Sequence, residues 1–220
     1  MSAPANAFDV PKGLPEPLPP GERILWQGRP TASGIALRAL HLRLVALWFS
    51  AVALWQALPA ASLADAAAVT APTLAAFGVS LALVALLGWL SARTTTYTIT
   101  NRRIVMRVGI ALPVTLNLPF AAIADAGLHT FSDGTGDLPV RLKPGTRIAY
   151  LHLWPHARPW RVAEPQPMLR SVPEAHAVAH RLAQAIEAAR MPEESAAPIL
   201  AERPQGGTIP SRPPRLAVAG

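Results

Sequence analysis

Charge vanishes from the chain twice. Residues 40–63 read LHLRLVALWFSAVALWQALPAASL, with nothing charged after Arg43, and residues 71–90 (APTLAAFGVSLALVALLGWL) are uncharged throughout. Runs of about 20 apolar residues, at ~1.5 Å of rise each, match the ~30 Å hydrocarbon core of a bilayer. The pattern predicts a membrane α-helical hairpin with transmembrane helices at 40–63 and 71–90. Trp48 and Trp55 lie within the first run, and Trp89 stands where an indole meets the headgroup layer. Gly78, Ser80 and Gly88 offer small faces for close approach by another helix, of the hairpin itself or of a second copy of the chain.

Beyond Arg93 the pattern changes to period two. Thr94–Val108 (TTTYTITNRRIVMRV) holds β-formers on both sides of an Asn-Arg-Arg break, a hairpin signal. Further strand-like runs are 113–118, 123–131, 138–142, 147–153 and 160–163. Turn chemistry separates them at Ser132–Asp137 and Lys143-Pro144-Gly145. Many short strands in so little chain predict a small sandwich or bent barrel. One helix then follows: Ser171 with Glu174 three residues on reads as a capping box. Val172, Ala175, Val178, Ala179, Leu182 and Ile186 recur at helical spacing, with an expected end near Arg190. The α+β/all-β domain so defined spans 94–190. It follows a proline-rich tail at 1–20, expected to be disordered, and a juxtamembrane segment at 21–39. Residues 191–220, rich in Pro, Gly, Ala and charge, are expected to be disordered too.

Composition sharpens this picture. Half of the 220 residues are hydrophobic, yet the net charge is +7, as a membrane anchor joined to a basic water-facing part would give. Arg38 and Arg43 precede the first run, and Arg93, Arg102, Arg103 and Arg107 follow the second. The connection 59–70 has no Lys or Arg. The positive-inside rule therefore predicts both termini in the cytoplasm, with these six arginines near anionic lipid. No apolar stretch near Met1 resembles a secretory signal, so the hairpin is expected to be a retained anchor. There is no cysteine, hence no disulfide framework and no thiolate metal site. No Ser/His/Asp array, HExxH or nucleophile elbow occurs, and Ser132–Asp137 lacks the lysine of a phosphate loop. A non-catalytic role is expected, without a resident cofactor or metal. No nucleic-acid recognition module accompanies the basic charge.

Three features together carry a resemblance: GERILWQGRP (21–30) before the hairpin, YTITNRRIVMRVG (97–109) after it, and a strand-rich region ending in one helix. The chain resembles bacterial pleckstrin-homology (PH) membrane proteins, which implies a seven-stranded bent barrel capped at one end by the C-terminal helix. FSDGTGDLP (131–139) and AYLHLWPHARPWRVAEPQPMLRSVP (149–173), with HLRLVALWF (41–49), resemble the PuhB family of photosynthetic complex assembly proteins of purple bacteria. That resemblance implies an assembly factor in the cytoplasmic (intracytoplasmic) membrane. Its partners would be reaction-centre and core light-harvesting subunits or other assembly factors. On this reading the aromatic and basic loop His152, Trp154, His156, Arg158, Trp160 and Arg161 contacts the client. His41, at the cytoplasmic boundary, is the candidate for a transient bacteriochlorophyll contact, since neither uncharged run holds a histidine. The rival expectation is a general lipid- or protein-binding PH module unrelated to photosynthesis.

Overall fold

The computed structural model describes residues 13–195 apart from 15, 146, 147, 149, 160, 162 and 163. The expectations for 1–12, for 196–220 and for Trp160 lie outside these. Strand β1 (Ile24–Gly28) comes first, in the segment read as juxtamembrane. A short helix α1 (Ala32–Gly34) runs into a π-helical turn (Ile35–Ala39), followed by α2 (Leu42–Ala57) and α3 (Leu63–Thr94). Then come β2 (Thr96–Thr100), β3 (Arg103–Val108), β4 (Val114–Pro119), β5 (Ile123–Ala126), β6 (His129–Thr130) and β7 (Gly136–Leu142). A helical turn α4 (Tyr150–Leu153), strand β8 (Met168–Val172) and helix α5 (Ala175–Ser195) complete the order.

One antiparallel sheet has the order β1-β2-β3-β4, and the second has β5-β7-β6 with β8 also on β7. The period-two reading of residues 94–108 holds: Ile99 pairs with Ile104 and Tyr97 with Met106 across a tight turn at Asn101-Arg102. Those four side chains point into the core, where Leu138, Val140 and Leu169 meet them from the second sheet. Helix α5 closes one end, burying Ala175, Val178, Leu182 and Ile186. A β-sheet domain of PH type with a C-terminal helix is therefore present. β1 belongs to it, since Ile24 pairs with Thr100 and Gly28 with Tyr97. The apolar helices are thus an insertion between the domain's first and second strands.

Several boundaries differ from expectation. The first apolar run breaks at His41, whose backbone is left-handed (φ 54°). Helix α2 keeps 16 residues, about 24 Å at ~1.5 Å per residue. Among the described residues α3 alone is by itself long and apolar enough to cross a membrane. The α1–π segment and α2 pass that test only jointly, bent by 55°. The expected pair of equal spans is in fact one long apolar helix and one shorter, broken one. Helix α3 begins earlier than read because Ser62 caps it, its Oγ accepting from the Asp65 N–H at 3.1 Å. Of the tail expected to be disordered, Leu14 is buried.

The anticipated strand at 147–153 is the helical turn α4 where it is described. Ser171 does not cap α5; it sits in β8 with φ 48°, and its N–H donates to Asp137 Oδ1 at 2.7 Å. Strand pairing to β7 has claimed the residues that a capping box would use. Helix α5 continues through Ser195 with Pro192 in its last turn, where a proline withholds one N–H but keeps a helical φ.

Candidate functional site

The place where the apolar helices meet the β domain concentrates the polar chemistry. Helix α3 enters the domain with Gly88, Ser91 and Ala92 buried. A Cβ on Gly88 would stand 2.9 Å from Ala36 Cβ and 3.1 Å from Ala36 N, so a glycine is what lets α3 lie against the π-helical turn. Gly34 is as tightly placed against β8: a Cβ there would meet Ser171 Oγ at 2.3 Å. Gly78, by contrast, has nothing within 4 Å.

At the end of α3 a fully buried histidine ties four segments together. His156 Nδ1 lies 2.6 Å from the Tyr97 hydroxyl, and Nε2 lies 3.1 Å from Thr95 Oγ1 and 3.5 Å from Ser91 Oγ. Tyr97 Oη accepts from the Arg170 backbone N–H at 3.1 Å, which leaves its proton for Nδ1 and places the imidazole proton on Nε2. Burial holds the His156 pKa down at about 3, the Arg170 charge adding to the effect. Burial likewise pushes the Tyr97 phenol up. The histidine is a neutral structural link, so the expectation that it contacts a client is corrected. Trp154-Pro155 turns the chain inward through a cis peptide, and the His156 carbonyl then accepts from Met168 N–H at 2.9 Å.

The other loop residues are placed differently from one another. Trp154 is 53% exposed. Arg158 is exposed and donates to Gln166 Oε1 at 3.0 Å, and Arg161 is exposed. His152 belongs to α4. Trp154, Arg158 and Arg161 thus stay accessible.

The six arginines expected near anionic lipid also divide. Arg38 reaches the 131–135 turn, donating to Thr135 Oγ1 at 2.7 Å and Asp133 Oδ2 at 2.5 Å, with its guanidinium 3.6 Å from the Phe131 ring centroid. The Thr135 hydroxyl and Arg38 hold the Asp133 carboxyl down at about 2. Arg103 pairs with Glu22 through two bonds of 2.7 and 2.8 Å. Arg102 and Arg103 stand at the far end of the β2–β3 hairpin, about 17 Å from the end of α3 at ~3.3 Å per strand residue. Nearness in sequence was read as nearness to the membrane, and the hairpin carries these two away from the helix end. Arg107, opposite Thr96, returns to that end. It is exposed, as are Arg43 and Arg93, and Arg93 lies 5.2 Å over the Trp89 ring.

Beside the junction lies a cleft of about 280 Å³ lined by Leu40, His41, Tyr150, Trp154, Pro155 and Arg170, among others. Arg170 is 7% exposed and its Nε has no hydrogen-bond partner. Burial lowers its pKa, against the opposing charge of Asp137. Arg170 is missing from the candidates drawn from the sequence. Its position in a strand of otherwise buried residues, MLRSV, was the signal that it points somewhere enclosed. Among the described residues no group of three His, Asp or Glu side chains is arranged to hold a metal.

Comparison with known proteins gives a consistent answer. Residues 37–186 match the model of a bacterial PH domain family. The chain is 37% identical over 194 residues to a Rhodobacter capsulatus protein described as an uncharacterized 23.7 kDa protein in the puhA 5′ region. The match covers 82% of this chain and 87% of that one. No solved structure matches. The resemblance to a PuhB-like protein read from 131–139 and 149–173 is in line with this relative.

Proposed function

The chain belongs to the bacterial PH domain family, and from that premise we propose that it is a non-catalytic, membrane-anchored assembly factor for photosynthetic complexes. The observation that carries the reading is the relative whose description places it beside puhA. The architecture supports it. Helix α2 buries no residue, and Leu47, Trp48, Leu54 and Trp55 are all more than 60% exposed. So large an apolar surface in contact with water is unfavourable, whereas in lipid it costs nothing. In this reading α2 and α3 form the anchor, with the Phe49 and Phe77 rings stacked 5.5 Å apart between them. The domain stands on the cytoplasmic side and presents Trp154, Arg158 and Arg161 to newly inserted reaction-centre and light-harvesting subunits. Confinement to the membrane replaces a search in three dimensions by one in two, and an aromatic residue flanked by arginines is the usual composition of an interface anchor.

The test is deletion of the gene in its host, followed by near-infrared absorption of the membranes. Loss of reaction-centre and core-antenna bands, with other membrane proteins inserted normally, is expected. Unchanged bands across growth conditions overturn the assembly reading. They would promote the second reading, a lipid-binding surface module, which the exposed Arg43, Arg93 and Arg107 around the helix ends favour.

A further inference from the structure

We propose that the cleft between His41 and Arg170 holds the headgroup of one anionic phospholipid, whose acyl chain lies along the exposed apolar face of α2. The site uses the membrane anchor of the reading above and is independent of any assembly role.

Three observations converge on it. Arg170 lines the cleft, is 7% exposed, and has an Nε without a partner; among the described residues its side chain forms no ion pair. A guanidinium taken out of water with no ion pair is costly, and the charge of Asp137 offsets only part of that cost, so an anion entering the cleft would complete the arrangement. His41 lines the same cleft and is the residue at which α2 begins, and no side chain caps that helix. The first N–H groups of α2 and the positive end of its dipole therefore lie beside the cleft, where they favour negative charge. From the next turn of α2 onward, a groove of about 620 Å³ is lined by Leu44, Val45, Leu47, Trp48, Phe49 and Ala51. Leu44, Val45 and Trp48 follow His41 by three, four and seven residues, so they share its helix face.

A cleft that favours an anion, followed one turn along the chain by an apolar groove on a helix of nearly membrane depth, matches an amphiphile. A free phosphate would leave the groove unused. A zwitterionic headgroup would bring its own cation against Arg170, so a lipid with net negative charge is the occupant.

The experiment uses the full-length protein in mild detergent, offered equal amounts of phosphatidylglycerol and phosphatidylcholine, with retained lipid read by native mass spectrometry. One phosphatidylglycerol per chain is expected, preferred about tenfold, as a charge-assisted bond to Arg170 would give. Arg170→Gln should abolish the preference. His41→Ala, at an exposed position that carries no packing, should reduce it several-fold and decides the matter if Arg170→Gln fails to fold. Arg141→Gln, at an exposed position outside the cleft, should leave it unchanged.

Equal retention of the two lipids overturns the site. So does a loss with Arg141→Gln as large as with His41→Ala, which would mean diffuse surface attraction, or displacement of phosphatidylglycerol by millimolar inorganic phosphate. Because the readout needs no photosynthetic membrane, failure here leaves the deletion spectra untouched, and normal deletion spectra leave this site standing.

Discussion

His156 and Tyr97 exchange a proton contact in a place closed to water, and that contact sets how the protein responds to acid. The imidazole is held neutral in the fold, with a pKa near 3, while an unfolded chain protonates it near the ordinary value of about 6.5. Between these values the unfolded chain binds more protons, so this contribution to stability is complete above about pH 6.5 and is lost as the pH falls toward 3. The slope approaches about 1.4 kcal/mol per pH unit. Thermal midpoints of the detergent-solubilised protein should fall between pH 6.5 and 4, and a His156→Gln variant should show a flatter dependence. An equally steep profile in that variant would remove His156 as the cause. Tyr97→Phe strands both the Nδ1 atom and the Arg170 backbone N–H, and should cost about 1–3 kcal/mol in the same measurement. The sequence placed Tyr97 correctly on an alternating strand. It did not reveal His156 as its partner, because the two lie 59 positions apart and only the tertiary fold brings them together.

At the level of elements, the junction depends on how closely α3 approaches the turn before α2. Gly88→Leu would drive a side chain into Ala36, whose backbone N is already 3.1 Å from where a Cβ would stand. Overpacking of this kind costs about 1–3 kcal/mol, and the expected result is a lower thermal midpoint with easier proteolysis at the junction. Gly78→Leu, with open space around it, should behave like the unchanged protein. If the two variants melt alike, the contact is not what holds the domain to the anchor. The small residues were visible in the sequence, but not which of them meets a neighbour. Hydrophobic period identified α3 and the β2–β3 hairpin because each is set by its own residues. It failed at β8 and α4, where Met168–Val172 becomes a strand through pairing with β7 and residues 150–153 curl to bring Leu153 into the core. The break at His41 likewise follows from contacts that residues 31–39 make with β8 and α3, beginning with the Thr31 N–H to the Ser171 carbonyl at 3.0 Å.

For the whole molecule, the proposed topology places the α2–α3 turn and the 131–135 turn on opposite sides of a bilayer. The chain has no cysteine, so single-cysteine variants report one position each. Ala61→Cys should react with an impermeant maleimide added outside spheroplasts, and Ser132→Cys only after the membrane is opened. Labelling of both from the same side would show that α2 does not cross. In the host, Trp154→Ala combined with Trp160→Ala should lower mature reaction-centre content without affecting insertion. Normal content would remove the loop from the client surface. The β domain and its closing helix were legible from alternation and turn chemistry, whereas the division between accessible and enclosed arginines was not, because Arg38 finds its partners 95 and 97 positions away.

The placement of β1 ahead of the apolar helices has a consequence for biosynthesis. Ile24–Gly28 leaves the ribosome first but waits for Thr96–Thr100 before it has a neighbour to pair with. At ~5–20 residues per second that interval is roughly 3–14 s, during which both apolar segments are made and, in the proposed topology, meet the insertion machinery. The sheet can close only after the second of them has come back to the side on which the first strand was left. In that topology a correctly folded domain would be a receipt for completed insertion, and the proposed client, by recognising the folded domain, would meet only copies inserted in the right sense.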